Sequence, residues 1–291
     1  MRAAVIIFPG SNRERDLCAA LTRASGREPL RVWHRDAVLP PSDLIVLPGG
    51  FAYGDYLRCG AIAAHSPIMR EVRDRAAKGT PVLGICNGFQ ILTEAGLLPG
   101  ALLPNRSLRF TCRDIDLRVE DNQTIFTCGY EAGQTIRVPV AHHDGNYTAD
   151  PEALDRLEAR GLVAFRYCGA SGESIEEANF NGSARAIAGI FNETRTVLGL
   201  MPHPENASDP LLGRTDGQAF FDGLVSALQK IMPLFAKIPR HRFLCPSPPV
   251  CEERGQGEGG TCRAFVKSAS VALPAPLTST LSARPAGGEG D

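Results

Sequence analysis

Residues 81–90 read PVLGICNGFQ, and this stretch decides the fold of the chain. The apolar run from Pro81 to Cys86 predicts a strand buried on both faces, and a helix is predicted to begin immediately afterwards, at Gly88. A strand that turns directly into a helix is the building unit of an α/β sheet. The turn would expose Cys86 above the sheet edge, with Gly84 and Gly88 leaving room for a strained backbone.

The segments on either side repeat this alternation of strand and helix. In the first hundred residues, strands are predicted at 3–8, 30–33, 44–47 and 81–86, and helices at 13–24, 68–77 and 88–95. Farther along, antiparallel strands are predicted at 110–112, 117–119 and 136–138, a helix at 151–160, a strand at 162–167, a hairpin of 187–191 with 197–201, and a closing helix at 216–232. We therefore expect an α/β fold whose mostly parallel central sheet has helices on both faces and added antiparallel strands.

The last part of the chain has a different composition. Residues 1–232 are predicted to form one domain, whereas 233–291 are rich in Pro, Gly and Ser and are predicted to be a mostly disordered extension. The extension contains three cysteines and a histidine, namely His241, Cys245, Cys251 and Cys262. Their spacing fits no standard ligand pattern, so no metal site is predicted there.

Composition narrows the possible functions of the chain. The formal net charge is −1 over 291 residues, which argues against a nucleic-acid binder. No apolar run approaches the roughly 18 residues that a membrane span requires, so a cytoplasmic location is the default expectation. The nine cysteines form no closely spaced pairs, which favours a reducing compartment over a disulfide or zinc framework.

One of these cysteines is the candidate nucleophile. A free cysteine is most often a buried core residue. The Gly-x-Cys-x-Gly frame around Cys86 argues against that interpretation, because the predicted turn places the thiol at the positive end of a helix, where the thiolate is favoured. The amide N–H of Asn87 would then face an oxyanion that forms beside the sulfur.

A second motif, Met201-Pro202-His203-Pro204-Glu205, supplies the expected partners of the nucleophile. His203 would act as general base and acid, and Glu205 would fix its tautomer. A second oxyanion donor is expected from residues 48–51, because a strand that ends in Gly-Gly lets backbone amides approach a ligand closely.

These motifs together resemble the class I (triad) glutamine amidotransferases. Within that family, residues 8–12, 48–63, 141–142, 145–147 and 199–205 look like the glutaminase subunits of de novo purine synthesis, and the resemblance spans about residues 3–230. It implies that Cys86 attacks the side-chain amide of L-glutamine, that a glutamyl thioester forms, and that ammonia and then glutamate are released.

The resemblance also implies site residues and partners. Gly50 and Asn87 would supply the oxyanion N–H groups, Gln90 would contact glutamine, and no metal would be bound. Ammonia would pass to a synthetase subunit that uses ATP and magnesium, often joined through a small bridging subunit. This chain has no Gly-rich loop for phosphates, which fits a subunit that depends on such a partner.

Four positions depart from the family pattern, namely Arg13, His143, Asp144 and Asn206. None belongs to the predicted triad, and those at 143, 144 and 206 are expected near the rim of the site, where a partner would dock. We expect the isolated chain to be a poor glutaminase until that partner is bound.

Three alternatives remain open from the residues alone. The chain could serve a different synthetase, or it could be a cysteine hydrolase or chaperone of similar fold. A nucleotide-binding module is the third, although the spaced glycines of dinucleotide folds are missing.

Overall fold

The computed structural model of this chain describes residues 1–236, with side chains described as far as residue 230. Eleven strands and five α-helices form within that range. The strands are β1 (Ala3–Ile7), β2 (Leu30–Trp33), β3 (Leu44–Leu47), β4 (Val82–Ile85), β5 (Ala101–Leu103), β6 (Thr111–Val119), β7 (Thr135–His142), β8 (Asn146–Thr148), β9 (Val163–Cys168), β10 (Ile187–Phe191) and β11 (Val197–Leu200). The helices are α1 (Glu14–Ser25), α2 (Ile68–Ala77), α3 (Asn87–Glu94), α4 (Pro151–Ala159) and α5 (Gln218–Ala236).

Nine of the strands form one sheet, in the order β2-β1-β3-β4-β11-β10-β9-β6-β7. The first five strands run parallel, and we call them the parallel half. The remaining four pair antiparallel, and we call them the antiparallel half. Strands β5 and β8 form a separate two-stranded sheet.

The burial of each strand follows its sequence pattern. All residues of β3, β4 and β11 are buried, as continuous apolar runs in the middle of a covered sheet should be. Strand β7, at the edge, alternates buried and more exposed positions. The chain moves from β1 to β2 in one direction and from β3 to β4 in the other, so right-handed crossovers place α1 and α2 on opposite faces of the sheet.

The predicted fold class is confirmed, with differences in detail. The two patterned segments at 110–112 and 117–119 belong to one continuous strand, β6, because the residues between them also pair with β7. Strands β5 and β8 were not predicted, since three-residue strands carry too little periodicity to be recognised. No helix within residues 1–236 is long and apolar enough to cross a membrane.

The predicted boundary at 232 falls inside a helix. α5 continues to Ala236, so the first four residues of the predicted extension are helical. Residues 237–291, with the group of His241, Cys245, Cys251 and Cys262, lie outside the described residues.

The predicted site residues lie at one edge of the parallel half. The carboxyl ends of β1, β3, β4 and β11 meet there, next to the point where the chain reverses its direction across the sheet. Ligands of open α/β sheets bind at such an edge.

Candidate active site

Cys86 occupies a strained turn between β4 and α3. Its backbone has φ +52° and ψ −108°, a conformation that side-chain-bearing residues rarely adopt. Its amide donates a hydrogen bond of 2.8 Å to the carbonyl of Leu200, which holds the turn to β11. Room for the turn comes from glycine: a Cβ on Gly88 would lie 2.0 Å from the carbonyl oxygen of Leu47. The elbow that the sequence predicts is therefore formed.

His203 and Glu205 form a buried pair beside this elbow. Nδ1 of His203 lies 2.6 Å from Oε1 of Glu205, and both side chains are almost completely buried. His203 lines the same small pocket as Cys86. Gly49 makes this position possible, since a Cβ there would lie 2.8 Å from Cε1 of the imidazole. The other ring nitrogen, Nε2, has no hydrogen-bond partner among the described residues.

The protonation of His203 follows from its neighbours. Burial alone would lower the pKa of this imidazole, but the adjacent Glu205 carboxylate, assisted by the neighbouring Cys86, outweighs that effect and raises the pKa to about 10. The raised pKa favours the protonated ring, which can donate a proton from Nε2.

Two backbone amides are candidates for the oxyanion site, that of Gly50, which lines the pocket, and that of Asn87, the residue after the nucleophile. The segment around Gly50 packs directly on the loop after β1: the amide of Phe51 donates to the carbonyl of Gly10 at 2.9 Å, and a Cβ on Gly50 would lie 2.7 Å from the same carbonyl oxygen. The amides of Gly50 and Asn87 have no hydrogen-bond acceptor within residues 1–236. They are available to an oxyanion.

Gln90 lies one helical turn after the nucleophile and is held at both ends of its amide. Its Nε2 donates to the carbonyl of Asp144 at 2.7 Å, and its Oε1 accepts from Nδ2 of Asn87 at 2.8 Å. Nearby, burial raises the pKa of Asp55 to about 6; the charge of Asp144 adds to that effect, and a hydrogen bond from Cys59 opposes it.

The remaining walls of the pocket come from distant parts of the chain. Ala141, at the end of β7, accepts a weak hydrogen bond from the thiol of Cys86 at 3.8 Å. Phe110 and Phe51 pack at the mouth with ring centroids 6.3 Å apart. The cavity is small, about 60 Å³, and partly open to solvent.

The predicted residues thus come together, and the structure adds others. Cys86, His203 and Gly50 line the pocket. Glu205 contacts His203, and Asn87, the residue after the nucleophile, contacts Gln90. Phe51 belongs to the segment 48–51 from which an oxyanion donor was expected. The lining residues that the sequence did not assign to the site are Asn12, Arg13, Phe110 and Ala141. Of these, Phe110 precedes an antiparallel strand, where no local motif marks a functional residue, whereas Ala141 belongs to a segment that carries the family resemblance but was given no role.

The four departures from the family pattern form two pairs in the structure. Arg13 and Asn206 both contact Asp16, at 3.2 Å and 2.9 Å. His143 and Asp144 contact each other, with Nδ1 2.9 Å from a carboxylate oxygen. In the part of the chain that the structure describes, no group of His, Cys, Asp and Glu side chains is arranged to hold a metal ion.

Comparisons with known proteins point to one family. Residues 1–231 match the family model described as the CobB/CobQ-like glutamine amidotransferase domain. A protein of Bradyrhizobium diazoefficiens named phosphoribosylformylglycinamidine synthase subunit PurQ is 59% identical over 231 residues, which are 79% of this chain and 99% of that protein. A protein of Rhodospirillum rubrum with the same name is 58% identical over 229 residues, 78% of this chain and 100% of that one.

A solved structure shows the same likeness. A chain of the structure described as PurLQS from Thermotoga maritima superposes with a TM-score of 0.68 at 44% identity. The match covers 78% of the present chain and 98% of the Thermotoga chain.

Proposed function

The chain belongs to the family of CobB/CobQ-like glutamine amidotransferases, and we propose on this basis that it is the glutaminase subunit of a phosphoribosylformylglycinamidine synthase. Membership in this family agrees with the resemblance seen in the sequence and argues against a chaperone or a nucleotide-binding module. The observation that carries the proposal is a cysteine on a strained elbow that shares one pocket with a buried His203–Glu205 pair.

The first half of the reaction forms a thioester. The Cys86 thiolate attacks the side-chain amide carbon of glutamine, and the negative charge that develops on the amide oxygen is stabilised by the N–H groups of Gly50 and Asn87. The imidazolium of His203 donates its proton to the amide nitrogen, the carbon–nitrogen bond breaks, and ammonia leaves.

The second half hydrolyses the thioester. Neutral His203 now accepts a proton from water, and the resulting hydroxide attacks the thioester carbonyl. The thiolate of Cys86 is expelled, glutamate is released, and the imidazolium is restored. Glu205 stabilises the imidazolium in both halves through its contact of 2.6 Å with Nδ1.

Ammonia formed in this way needs an acceptor on another chain. We assign that role to a PurL-like synthetase subunit, which would use ATP and magnesium, and we assign a bridging role to a small PurS-like subunit. The Thermotoga structure described as PurLQS supports this assignment. In this chain, Tyr56 and Leu57 are 75% and 88% exposed, on the loop that follows Phe51 at the pocket mouth. Large apolar side chains exposed beside a catalytic mouth favour docking of a partner there.

The size of the pocket supports control by that partner. The cavity beside Cys86 measures only about 60 Å³, so a wider mouth would give the glutamine side chain better access to the sulfur. The exposed side chains of Phe51 and Phe110 line this cavity, and a docked partner that moved them would couple glutamine hydrolysis to the presence of an acceptor.

A reconstitution experiment tests the proposed function. The full chain is mixed with PurL-like and PurS-like subunits of the same organism, and amidine formation from formylglycinamide ribonucleotide is measured with glutamine or with ammonium chloride as nitrogen source. The Cys86→Ala variant should lose the reaction with glutamine and keep the reaction with ammonia. The matched control is Cys112→Ala, an exposed cysteine outside the pocket, which should keep both.

Two outcomes would contradict the proposal. A Cys86→Ala variant that still supports the reaction with glutamine would remove the nucleophile assignment. A wild-type complex that makes amidine with neither nitrogen source would argue for a different synthetase.

A further inference from the structure

The side chain of Asn87 makes contacts that its backbone role does not require. It is only 1% exposed, and its amide group makes three hydrogen bonds. Oδ1 accepts from the amide of Ala52 at 3.1 Å, and Nδ2 donates to Oε1 of Gln90 at 2.8 Å and to Oδ1 of Asp55 at 3.4 Å. Ala52 and Asp55 lie in the same turn after β3, and Gln90 lies in α3 with Asn87.

The orientation of this amide is fixed by its surroundings. The N–H of Ala52 can only donate, so it selects the oxygen of Asn87. Gln90 donates its own Nε2 to the carbonyl of Asp144, which leaves Oε1 as the acceptor facing Asn87. The hydrogen-bond network therefore permits one placement of oxygen and nitrogen, and a carboxylate at position 87 would lose both donated bonds.

The position of Ala52 gives these contacts a consequence for the reaction. Ala52 follows Gly50 by two residues, so the bond from its amide ties the loop that carries the first oxyanion donor to the residue that carries the second. Because an oxyanion needs both N–H groups at hydrogen-bond distance at once, their separation matters more than the position of either alone. The bond to Gln90 extends the same constraint to the predicted glutamine contact.

We propose that the side chain of Asn87 is a positioning residue that sets the spacing of the two oxyanion amides and orients Gln90. This inference rests on the proposed glutaminase reaction. It assigns to the side chain a role separate from that of the Asn87 N–H group, and it predicts a loss in the step where the oxyanion forms.

The test uses Asn87→Asp in the full chain, reconstituted with the synthetase and bridging subunits. This variant keeps the size of the side chain and the acceptor for Ala52, but it replaces both donated bonds with contacts between oxygens. We expect kcat for glutamine to fall about 10²-fold, the scale of one displaced oxyanion donor, while KM for glutamine changes much less.

A second readout separates positioning from a collapsed elbow. Iodoacetamide alkylates a thiolate at a saturated carbon, so no oxyanion forms in that reaction. The rate of alkylation of Cys86, followed by mass spectrometry of its peptide, should be nearly unchanged in Asn87→Asp. Equal losses of turnover and alkylation would show a damaged nucleophile and would overturn the proposal.

A reciprocal exchange and a matched control complete the design. The double variant Asn87→Asp with Asp55→Asn restores one donor–acceptor pair without changing the net charge, and it should recover at least part of kcat. Asn192→Asp changes a side chain that makes a similar set of hydrogen bonds in the turn between β10 and β11, and it should leave kcat unchanged. Normal turnover in Asn87→Asp would overturn the inference alone, whereas a wild-type complex without glutaminase activity would overturn the proposed function itself.

Discussion

In the parallel half of the sheet, β3, β4 and β11 end within a few residues of Gly50, Cys86 and His203, so the reacting groups sit directly on buried strands. In the antiparallel half, β6 and β7 supply no reacting group and instead bring Phe110 and Ala141 to the pocket. The parallel half thus carries the reacting groups, and the antiparallel half contributes only lining residues to the pocket.

The different roles of the two halves agree with their different construction. Reacting groups have to be held to within fractions of an ångström, and short, fully buried strands with glycines at their ends provide that precision. Lining residues that move when glutamine binds are better placed near an edge of the sheet, where fewer neighbours hold them. The half-exposed Phe110 lies just before β6, next to the edge strand β7 of the sheet.

The largest expected effect comes from removing the imidazole that serves the parallel half. His203→Gln should lower kcat for glutamine about 10⁴-fold, because proton transfer to the leaving ammonia and from water are both lost. The reaction with ammonia in the reconstituted complex should be unaffected. The exposed His65 provides the control, and His65→Gln should behave as wild type. A fall of less than tenfold in His203→Gln would place proton transfer on another group.

The second prediction concerns the rigidity of the parallel half. Gly88→Ala would bring a methyl group within 2.0 Å of the carbonyl oxygen of Leu47, so α3 would have to move away from β3. We expect a loss of about 3 kcal/mol in the free energy of unfolding, measured with urea. Gly96→Ala has open space around it and should lose only about 1 kcal/mol through its positive φ. Equal losses in the two variants would show that α3 is not packed as described.

Much of the parallel half could be predicted from sequence, because its signals are local. The run from Val82 to Ile85 is buried on both faces and flanked by glycine, and His203-Pro204-Glu205 follows another such run. The antiparallel half gave weaker signals: β5 and β8 are too short to show a period, and the contact of Ala141 with Cys86 joins residues 55 positions apart. The hydrogen bonds of Asn87 to Ala52 and Asp55 could not be predicted at all, since they depend on how the loop after β3 packs against α3.

The third prediction uses pH to distinguish the two halves. At the end of β7, burial lowers the pKa of His142 to about 3, assisted by the nearby charge of His203. In the unfolded chain His142 would titrate near its ordinary value of 6.5, so the unfolded state binds more protons below that pH and stability is lost as the pH falls. Relative to His142→Gln, the wild type should lose about 2 kcal/mol between about pH 6.5 and about pH 5.

Asp55, in the loop after β3, should make the opposite contribution to stability as the pH falls. The pKa of Asp55 is raised to about 6, so the folded state binds this proton more tightly than the unfolded state, and the penalty for ionising Asp55 disappears as the pH falls below 6. Relative to Asp55→Asn, the wild type should therefore gain stability on acidification. Slopes of the same sign for the two residues in urea titrations would contradict the described burial of one of them.

The smallest effect on glutamine hydrolysis is expected from Phe110, which lines the pocket from the antiparallel half. Phe110→Ala shortens one member of the aromatic pair at the mouth, so glutamine should enter the isolated chain more easily. We expect KM for glutamine to fall several-fold without the partner, and the stimulation by the partner to shrink accordingly. Leu211→Ala, at another exposed apolar side chain that does not line the pocket, should change neither quantity. An unchanged KM in Phe110→Ala would remove this residue from the gate.

The central claim is that Cys86 carries the glutamyl group as a thioester after ammonia leaves and before water releases glutamate. The reconstituted complex is mixed with glutamine, quenched with acid during turnover, digested and analysed by mass spectrometry. We predict a γ-glutamyl thioester on the peptide that contains Cys86, and none on that peptide in Cys86→Ala. Steady production of glutamate with the adduct on a different cysteine, or with no adduct in any quenched sample, would contradict the claim.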